Sequence, residues 1–310
     1  MILRAKKLVT AGVTLAITAY LIYKVYSEAS RIKVRPSQLL SPYTLLAVAL
    51  GVAGYLTYTA VWYLYLRGIR EVSFRRVLLA NLSGTYLAFS FNAAVGTLVK
   101  VKFIGADYFK VLAASLIEAA TEFMTGSAML FVLTHNPKAL LVALLLASTF
   151  LADRTIYRIL GPVFERIKGE KAFEEFYTGW RGAKSNPVRV FLALLLGSLL
   201  VLINAGTLIS VARAFGVTLG LGEGIKAILY SSLLGGLLGT PGGLGSNELG
   251  VLMAIGNTGI NVIVAFTFKF VNQYMFALLG AFAFYRFVLA EVGVDEGRSS
   301  GRAGEEDQAP

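Results

Sequence analysis

One nine-residue segment constrains this chain more than any other: Thr240-Pro-Gly-Gly-Leu-Gly-Ser-Asn-Glu248, which interrupts a long apolar stretch. Proline removes a backbone donor and clashes with the preceding helical turn, and glycine weakens a helix interior, so a regular helix cannot continue here. Inside a bilayer, the freed backbone groups must be satisfied by protein or by water in a cavity. We therefore expect this segment to line a polar site.

The composition places the rest of the chain in a membrane. Hydrophobic residues make up 56% of the sequence and the mean hydropathy is +0.68, which is too apolar for a soluble domain of 310 residues. The absence of cysteine excludes disulfides, thiolate metal sites and a cysteine nucleophile, and a single histidine excludes a histidine-rich metal site. We expect no cofactor, no metal and no catalytic residue. The net charge of +11 is attributed to basic helix ends, not to nucleic-acid binding.

The hydropathy pattern predicts an all-α polytopic membrane protein with one transmembrane domain, residues 1–291, followed by a disordered polar tail, residues 292–310. The predicted helices are 7–27, 42–66, 74–90, 108–134, 138–158, 188–215, 223–239, 246–257 and 260–290. A charged connector, residues 159–187, separates two halves. Its aromatic residues among charges fit either an amphipathic helix on the membrane surface or a solvated loop.

The two halves, about 42–134 and about 188–290, have the same organisation. In each, a long span is followed by a glycine-containing segment, a break and a second long span. The spacing of the interruptions agrees, because 28 positions separate Gly68 from Gly96 and 29 separate Gly216 from Gly245. Matching interruptions in two halves are typical of transporters built from inverted repeats.

The basic residues favour re-entrant hairpins at both breaks. With both segments re-entrant and a cytoplasmic N-terminus, 21 of the 29 basic residues lie inside and 7 outside; with both segments crossing fully, the split is 13 to 15. Since Lys and Arg concentrate on the cytoplasmic side, the sequence predicts six full transmembrane helices plus two re-entrant hairpins, in the cell membrane, with both termini cytoplasmic.

Two clusters of polar residues fall inside predicted spans. Glu118 and Glu122 are four residues apart and share one helix face, as do Lys269, Asn272 and Gln273 in the last span. Ionisable groups at this depth usually face a cavity or a partner. They are candidates for binding a polar headgroup, and the alternative is a set of ion pairs that only holds helices together.

The first break provides a candidate anion site. We place it at Asn92–Gly96, where unpaired backbone N–H groups together with Lys100 and Lys102 are expected to receive a phosphate. The alternative is that both lysines anchor the chain at the level of the lipid headgroups.

The second break offers backbone and side-chain groups for a ligand. Its glycines permit close approach of a ligand, Ser246 or Asn247 is expected to cap the following helix, and Glu248 falls in the first turn of that helix. The helix dipole alone also explains an acid there. The candidate binding residues of this break are Pro241, Gly242, Gly243, Gly245, Asn247 and Glu248.

These residues resemble a known family, the membrane region of lysylphosphatidylglycerol synthases, or flippase-like domain family, which includes membrane parts of some archaeal glycosyltransferases. The family signature Pro-Gly-Gly-Leu-Gly-x-x-Glu matches Pro241–Glu248, and a basic residue in the following span matches Lys269. The resemblance covers roughly residues 5–290.

The first half resembles the family less closely. Its motifs Gly-Glu-x-x-Arg and Glu-Arg-x-x-Asp correspond to Gly96–Lys100 and Glu118–Glu122, with Thr97 in place of the first Glu and Ala119 in place of the second Arg. In the signature of the second half, Pro241–Glu248, the pair Ser246-Asn247 stands where Val-Arg is common. Charge type is kept at Lys100, Glu118 and Glu122.

The resemblance implies movement of lipid-linked polar headgroups between leaflets. The leading hypothesis is a flippase-like transporter for a phosphate-containing headgroup, with membrane lipids as partners, either polyprenyl-phosphate-linked or aminoacylated phospholipid. The chain carries no ATP-binding motif. Two alternatives stay open: a non-transporting partner that presents lipid to a separate glycosyl- or aminoacyl-transferase, and a membrane enzyme acting on a lipid phosphate.

Overall fold

The computed structural model describes residues 36–91, 93–151, 169–238 and 240–285, together with residues 23, 157, 158, 161, 162 and 166. Every regular element in this part of the chain is helical, and it contains no β strand. The all-helical prediction is therefore confirmed. The helix predicted at 7–27, apart from Tyr23, the tail predicted at 292–310 and Asn92 lie outside the described residues.

The helices are numbered here in chain order. They are α1 (Pro36–Leu39), α2 (Pro42–Leu66), α3 (Phe74–Ser90), α4 (Ala93–Ile104), α5 (Tyr108–Thr134), α6 (Pro137–Leu151), α7 (Glu170–Ala183), α8 (Pro187–Ala214), α9 (Leu221–Leu238), α10 (Ser246–Ile255), α11 (Gly259–Lys269) and α12 (Met275–Ala283). A 3-10 turn, Pro241–Gly243, joins α9 to α10, and a π-helical segment, Phe270–Tyr274, makes α11 and α12 continuous.

Five helices are long and apolar enough to cross a bilayer, which indicates a membrane protein: α2, α5, α8, α9 and the continuous helix Gly259–Ala283. Four of them are predicted full crossings. The crossing predicted at 138–158 is described only as α6, which has 15 residues. The fifth, α9, was predicted as one arm of a re-entrant hairpin, and its 18 residues also make it a candidate span by length.

Local sequence signals set the helix ends. Ser41 accepts a hydrogen bond from the Thr44 N–H at 3.2 Å and caps α2, and Asn186 caps α8 in the same way through two N–H groups. At the other end of α5, His135 takes the left-handed conformation, with φ of 53°, and ends the helix. His135 thus has a turn role, beside Asn136-Pro137.

The second break is confirmed and the first is displaced. Gly242, Gly243 and Gly245 have φ of 58°, 74° and 80°, a region that favours glycine, and α10 begins after them. Its N-cap is Gly245, not the predicted Ser246 or Asn247. In the first half, α4 already begins at Ala93. The predicted break at Asn92–Gly96 is therefore wrong in its extent, because Gly96 lies inside a helix.

Gly96 serves close packing between the two arms of the first hairpin, α3 and α4. A Cβ at Gly96 would lie 2.9 Å from the Ala88 Cβ, and one at Gly84 would lie 2.6 Å from the Lys100 Cγ. Such contacts leave room only for glycine, since real Cβ atoms do not approach so closely. Gly96, which was predicted as part of a break, therefore permits close contact between helices, as in other small-residue interfaces in membranes.

The two halves repeat the same order of elements. A long helix, a hairpin of two shorter arms and a second long helix have 25, 17, 12 and 27 residues in the first half. In the second half they have 28, 18, 10 and 25 residues, counting Gly259–Ala283 as one helix. The packing is also reciprocal, because the last helix of each half contacts the hairpin of the other: Gly280 against Leu82, and Gly126 against Leu229.

The first hairpin arm, α3, runs antiparallel to α2. The hydroxyls of Tyr55 and Thr85 are 3.2 Å apart, and Asn81 donates to the Thr59 hydroxyl at 3.1 Å. Residue numbers therefore fall along α3 as they rise along α2.

The corresponding arm of the second hairpin, α9, runs the opposite way. The first helices of the two halves are antiparallel, because α8 meets α2 with Asn204 beside Gly54 and Gly206 beside Leu50. Helix α9 is in turn antiparallel to α8, since Gly224 at its start packs on Ala205 and Ile209 while Leu229 clusters with Val201. Helices α3 and α9 consequently enter from opposite ends of the bundle.

The tips of the two hairpins meet. Gly242, in the turn of the second hairpin, lies directly against the ring of Phe89, near the end of α3. The same ring makes an edge contact with Tyr274, with ring centroids 5.4 Å apart. The two interruptions thus converge within the bundle, next to the π-helical segment of the last helix.

The charged connector contains an amphipathic helix, α7. Phe173, Trp180 and Ala183 of α7 are buried, whereas Glu174 is exposed. Gly179 lies against the backbone of Lys110 at the start of α5. Beside it, Lys110 forms an ion pair with Asp107, with 2.6 Å between Nζ and Oδ2. A hydrogen bond from Lys110 and its positive charge lower the pKa of Asp107.

We expect Gly250→Ala to destabilise the second hairpin and Gly236→Ala, in the facing arm, to do no harm. A Cβ at Gly250 would lie 2.6 Å from the Ser231 Cα and would collide with the Tyr230 carbonyl, whereas nothing lies within 4 Å at Gly236. The first change should lower the free energy of unfolding by about 1–3 kcal/mol, and the second should raise it by up to about 1 kcal/mol. Unfolding of the two purified variants in detergent measures the difference, and equal effects would contradict this packing.

Candidate functional site

A polar cavity of about 200 Å³ lies where the two halves meet. A water molecule occupies about 30 Å³ in the liquid, so the cavity has room for several. Its polar lining comes from both halves: Tyr55, Tyr58, Thr85, Glu122, Asn204, Ser231, Ser232, Lys269, Asn272 and Gln273. A buried space with this many convergent polar groups is a candidate binding site.

Lys269 is the central cation of this site. Its side chain is buried, with 5% of its surface exposed, yet no ion pair within 4.0 Å joins it to any described residue. The carboxylates of Glu248 and Glu122 lie near enough to act on it electrostatically. A buried ammonium without an ion pair is costly, so we expect water or a ligand to lie between the ammonium and the two carboxylates.

Lys269 also borders a second cavity of about 310 Å³, lined by the second hairpin turn. Ser232, Lys269 and Gln273 belong to both cavities. The ammonium therefore lies between the space at the interface of the halves and the space beside the interrupted segment. This arrangement brings the predicted residues Gly242, Gly243 and Lys269 together, in the part of the chain that the structure describes.

The last helix has an irregularity that the sequence did not predict. A π-helical segment, Phe270–Tyr274, follows Lys269 directly. Lys269, Asn272 and Gln273 all line the first cavity, so their predicted common face is confirmed. Wide turns of this kind are frequent at functional sites. The apolar periodicity of residues 260–290 carried no signal for it.

The interrupted segment is held together by its own side chains. Glu248 accepts a hydrogen bond from the Gly245 N–H at 2.9 Å, and the hydroxyls of Thr240 and Ser246 are 2.8 Å apart. Asn247 donates to the Gln273 side chain at 3.0 Å, which ties the hairpin to the last helix. Glu248 thus occupies the N-terminus of α10, as the helix-dipole interpretation expected, and in addition faces Lys269.

The two acids of α5 face the interior from one side of that helix, as predicted, and have different partners. Glu118 is buried, its Oε1 has no hydrogen-bond partner, and it interacts electrostatically with Lys100 of α4. The Lys100 ammonium lies 4.8 Å from the centre of the Trp62 ring, a cation–π contact. Glu122 instead lines the cavity beside the Ser232 hydroxyl and interacts with Lys269.

The anion site predicted at the first break is not assembled. Lys100 is the eighth residue of α4, so at 1.5 Å per residue it lies about 10 Å from the first N–H groups of that helix. Lys102 is exposed, which fits its alternative interpretation as a headgroup-level anchor. Gly96 packs against α3, and Asn92 lies outside the described residues.

Two buried polar residues of the cavity were missed by the sequence analysis. The Oδ1 of Asn204 and the Oγ of Ser231 line the cavity without a hydrogen-bond partner. Each was visible as a polar residue within an apolar helix, α8 or α9. Both unpaired atoms are covered by their neighbours, so a small rearrangement of these side chains would be needed before water or a ligand could bind them. Among the described residues, no group of three or more acids and histidines is placed to hold a metal ion.

We expect a cysteine placed at Ser232 to react with a water-soluble thiol reagent. The chain has no cysteine of its own, so each engineered thiol reports alone. The control is Leu278→Cys, a position 66% exposed on α12 and expected to face lipid. Only the thiolate reacts, and a hydrocarbon environment suppresses ionisation of the thiol. Ser232→Cys should therefore react at least about tenfold faster than Leu278→Cys. Mass spectrometry after timed labelling in liposomes measures both, and equally slow reaction would mean that the cavity is dry.

Comparison with known proteins assigns no family to this chain. No protein-family model matches the sequence, and no curated protein is similar to it. The interpretation of the site therefore depends on its own residues and geometry.

Proposed function

We propose that this chain is a flippase-like transporter of the cell membrane, which moves a phosphate-containing lipid headgroup between leaflets. The lipid would be polyprenyl-phosphate-linked or an aminoacylated phospholipid, as in the family that the sequence resembles. The observation that carries the proposal is the meeting of two opposed hairpin tips beside a polar cavity that holds Lys269, a buried cation with no ion pair within 4.0 Å to any described residue. Interrupted helices that converge near the midplane typically form substrate sites in transporters.

The proposed topology is an inverted repeat with six crossings, two re-entrant hairpins and cytoplasmic termini. The opposite directions of α3 and α9 and the reciprocal packing of the halves support it. The length of α10 also supports it. Its ten residues extend about 15 Å, half of a hydrocarbon core of about 30 Å. Helix α10 runs antiparallel to α9, with Asn247 beside Gly235 and Gly250 beside Ser231, so the second hairpin would return towards the side from which α9 entered.

The cavity gives a polar headgroup a route through the hydrocarbon core. A phosphate would contact the Lys269 ammonium through charge-assisted hydrogen bonds, and the unpaired Asn204 and Ser231 would contact its hydroxyl or ester oxygens. The lipid chains would stay outside the bundle. Since the sequence has no ATP-binding motif, movement would run down a gradient or be coupled to an ion.

The proposal is tested in liposomes that carry the purified chain and phosphatidylglycerol labelled on an acyl chain with a fluorophore that dithionite destroys. Without lipid exchange, dithionite bleaches only the outer leaflet. With exchange, nearly all of the fluorescence is lost. We expect the wild type to give nearly complete bleaching and Lys269→Met to slow exchange about 10- to 100-fold, since a hydrogen bond to a charged group contributes about 1.5–3 kcal/mol.

The matched control is Lys226→Met, a lysine that contacts Tyr230 near the start of α9, away from the cavity. It should exchange lipid at the wild-type rate. Equal exchange by Lys269→Met and the wild type would end this assignment of the site. Lipid binding without exchange by the wild type would instead favour a partner that presents lipid to a separate transferase.

A further inference from the structure

In the part of the chain that the structure describes, five ionisable side chains in the interior of the bundle interact electrostatically. Three acids, Glu118, Glu122 and Glu248, and two bases, Lys100 and Lys269, interact with one another across the halves. If all five are ionised, their sum is one negative charge. A single uncompensated charge in a low-dielectric interior is already expensive and a second one would cost more, so an anion that enters this interior is expected to bring a cation with it.

Four of the five charges form two pairs that correspond between the halves. Glu118 and Lys269 are each the eleventh residue of their long helix, and their partners, Lys100 and Glu248, each lie on the returning arm of a hairpin. In each half, one pair of opposite charges therefore connects the hairpin to the second long helix. The base is on the hairpin in the first half and on the long helix in the second. Charges in each pair interact within their own half.

Glu122 is the group left over by this pairing. It lies one turn beyond Glu118, lines the cavity and reaches across to the Ser232 hydroxyl and to Lys269 in the other half. Its position at the junction of the halves also makes it accessible to cavity water. The charged or titratable groups near it are Tyr55, Tyr58, Lys100, Glu118, Glu248 and Lys269. Helices α8 and α9 add only neutral side chains to this cavity, including Asn204, Ser231 and Ser232.

We propose that Glu122 binds the proton that accompanies an anionic headgroup into this cavity. The inference rests on the proposed function. A phosphate in contact with Lys269 would add a second negative charge to a site that already carries one. Hydronium from solution supplies the proton: one of its O–H bonds breaks as an O–H bond to a carboxylate oxygen of Glu122 forms, which leaves neutral water and returns the sum of the charges to its value before binding. When the headgroup leaves, the proton returns to water, so headgroup and proton move together.

The test uses the full chain in detergent, with dihexanoyl phosphatidylglycerol as a water-soluble probe. Because the bound state would hold one more proton than the free state, a rise in pH should weaken binding, by up to about tenfold in the dissociation constant per pH unit. Glu122→Gln, a neutral mimic of the protonated acid, should bind the probe with no pH dependence. Glu223→Gln is the control, since this exposed acid at the start of α9 accepts only the Gly220 N–H; it should keep the wild-type slope.

A second measurement needs no variant. In a weakly buffered solution with a pH-sensitive dye, the wild type should take up about one proton per bound probe molecule. The same number should be given by the slope of the logarithm of the dissociation constant against pH. Binding without proton uptake, or an unchanged slope in Glu122→Gln, would overturn the role of Glu122 and leave the proposed function standing. Absence of probe binding at every pH would instead contradict the proposed function and, with it, this inference.

Discussion

The arrangement of the bundle depends on one constraint: a chain that turns among apolar helices must satisfy its own backbone. The turn between α9 and α10 does so with its own side chains. Glu248 accepts the Gly245 N–H, and Ser246 donates to the Gly243 carbonyl at 3.0 Å. Because these bonds close the turn, its outer surface is free to lie against Phe89 and the last helix. The meeting of the two hairpins, and hence the cavity, follows from that closure.

Glycine makes the same arrangement sterically possible. The last helix approaches α3 where Gly280 meets the Leu82 backbone, and α2 approaches the π-helical segment where a Cβ at Gly51 would lie 2.8 Å from the Val271 Cγ1. Where lipid surrounds the helices, apolar burial does little to drive association, so close packing of this kind has to hold them together. The cavity persists beside these contacts because its lining is polar and partly unpaired, and water can occupy it.

The sequence predicted the parts of the site that local chemistry determines. Proline and glycine at 241–245 can only be a break, and ionisable residues such as Glu122 and Lys269 inside apolar spans can only face the interior. The first break was placed too far along the chain because Gly96 was taken as a helix breaker, although its role is contact with α3. The π-helical segment and the unpaired Asn204 could not be predicted, since both depend on what packs against them in the other half.

The three buried acids illustrate how partners divide roles among identical groups. Glu248 is fixed by the N–H of Gly245 at the start of α10, where a negative charge is favoured by the helix dipole. Glu118 faces Lys100, whose ammonium also lies over an aromatic ring, so this pair has the features of a structural contact. The favourable partners of Glu122 are the Ser232 hydroxyl and Lys269, which it shares with Glu248. Glu122 is the proposed proton site because neutralising either of the others would leave a lysine or a helix N-terminus without its counter-charge.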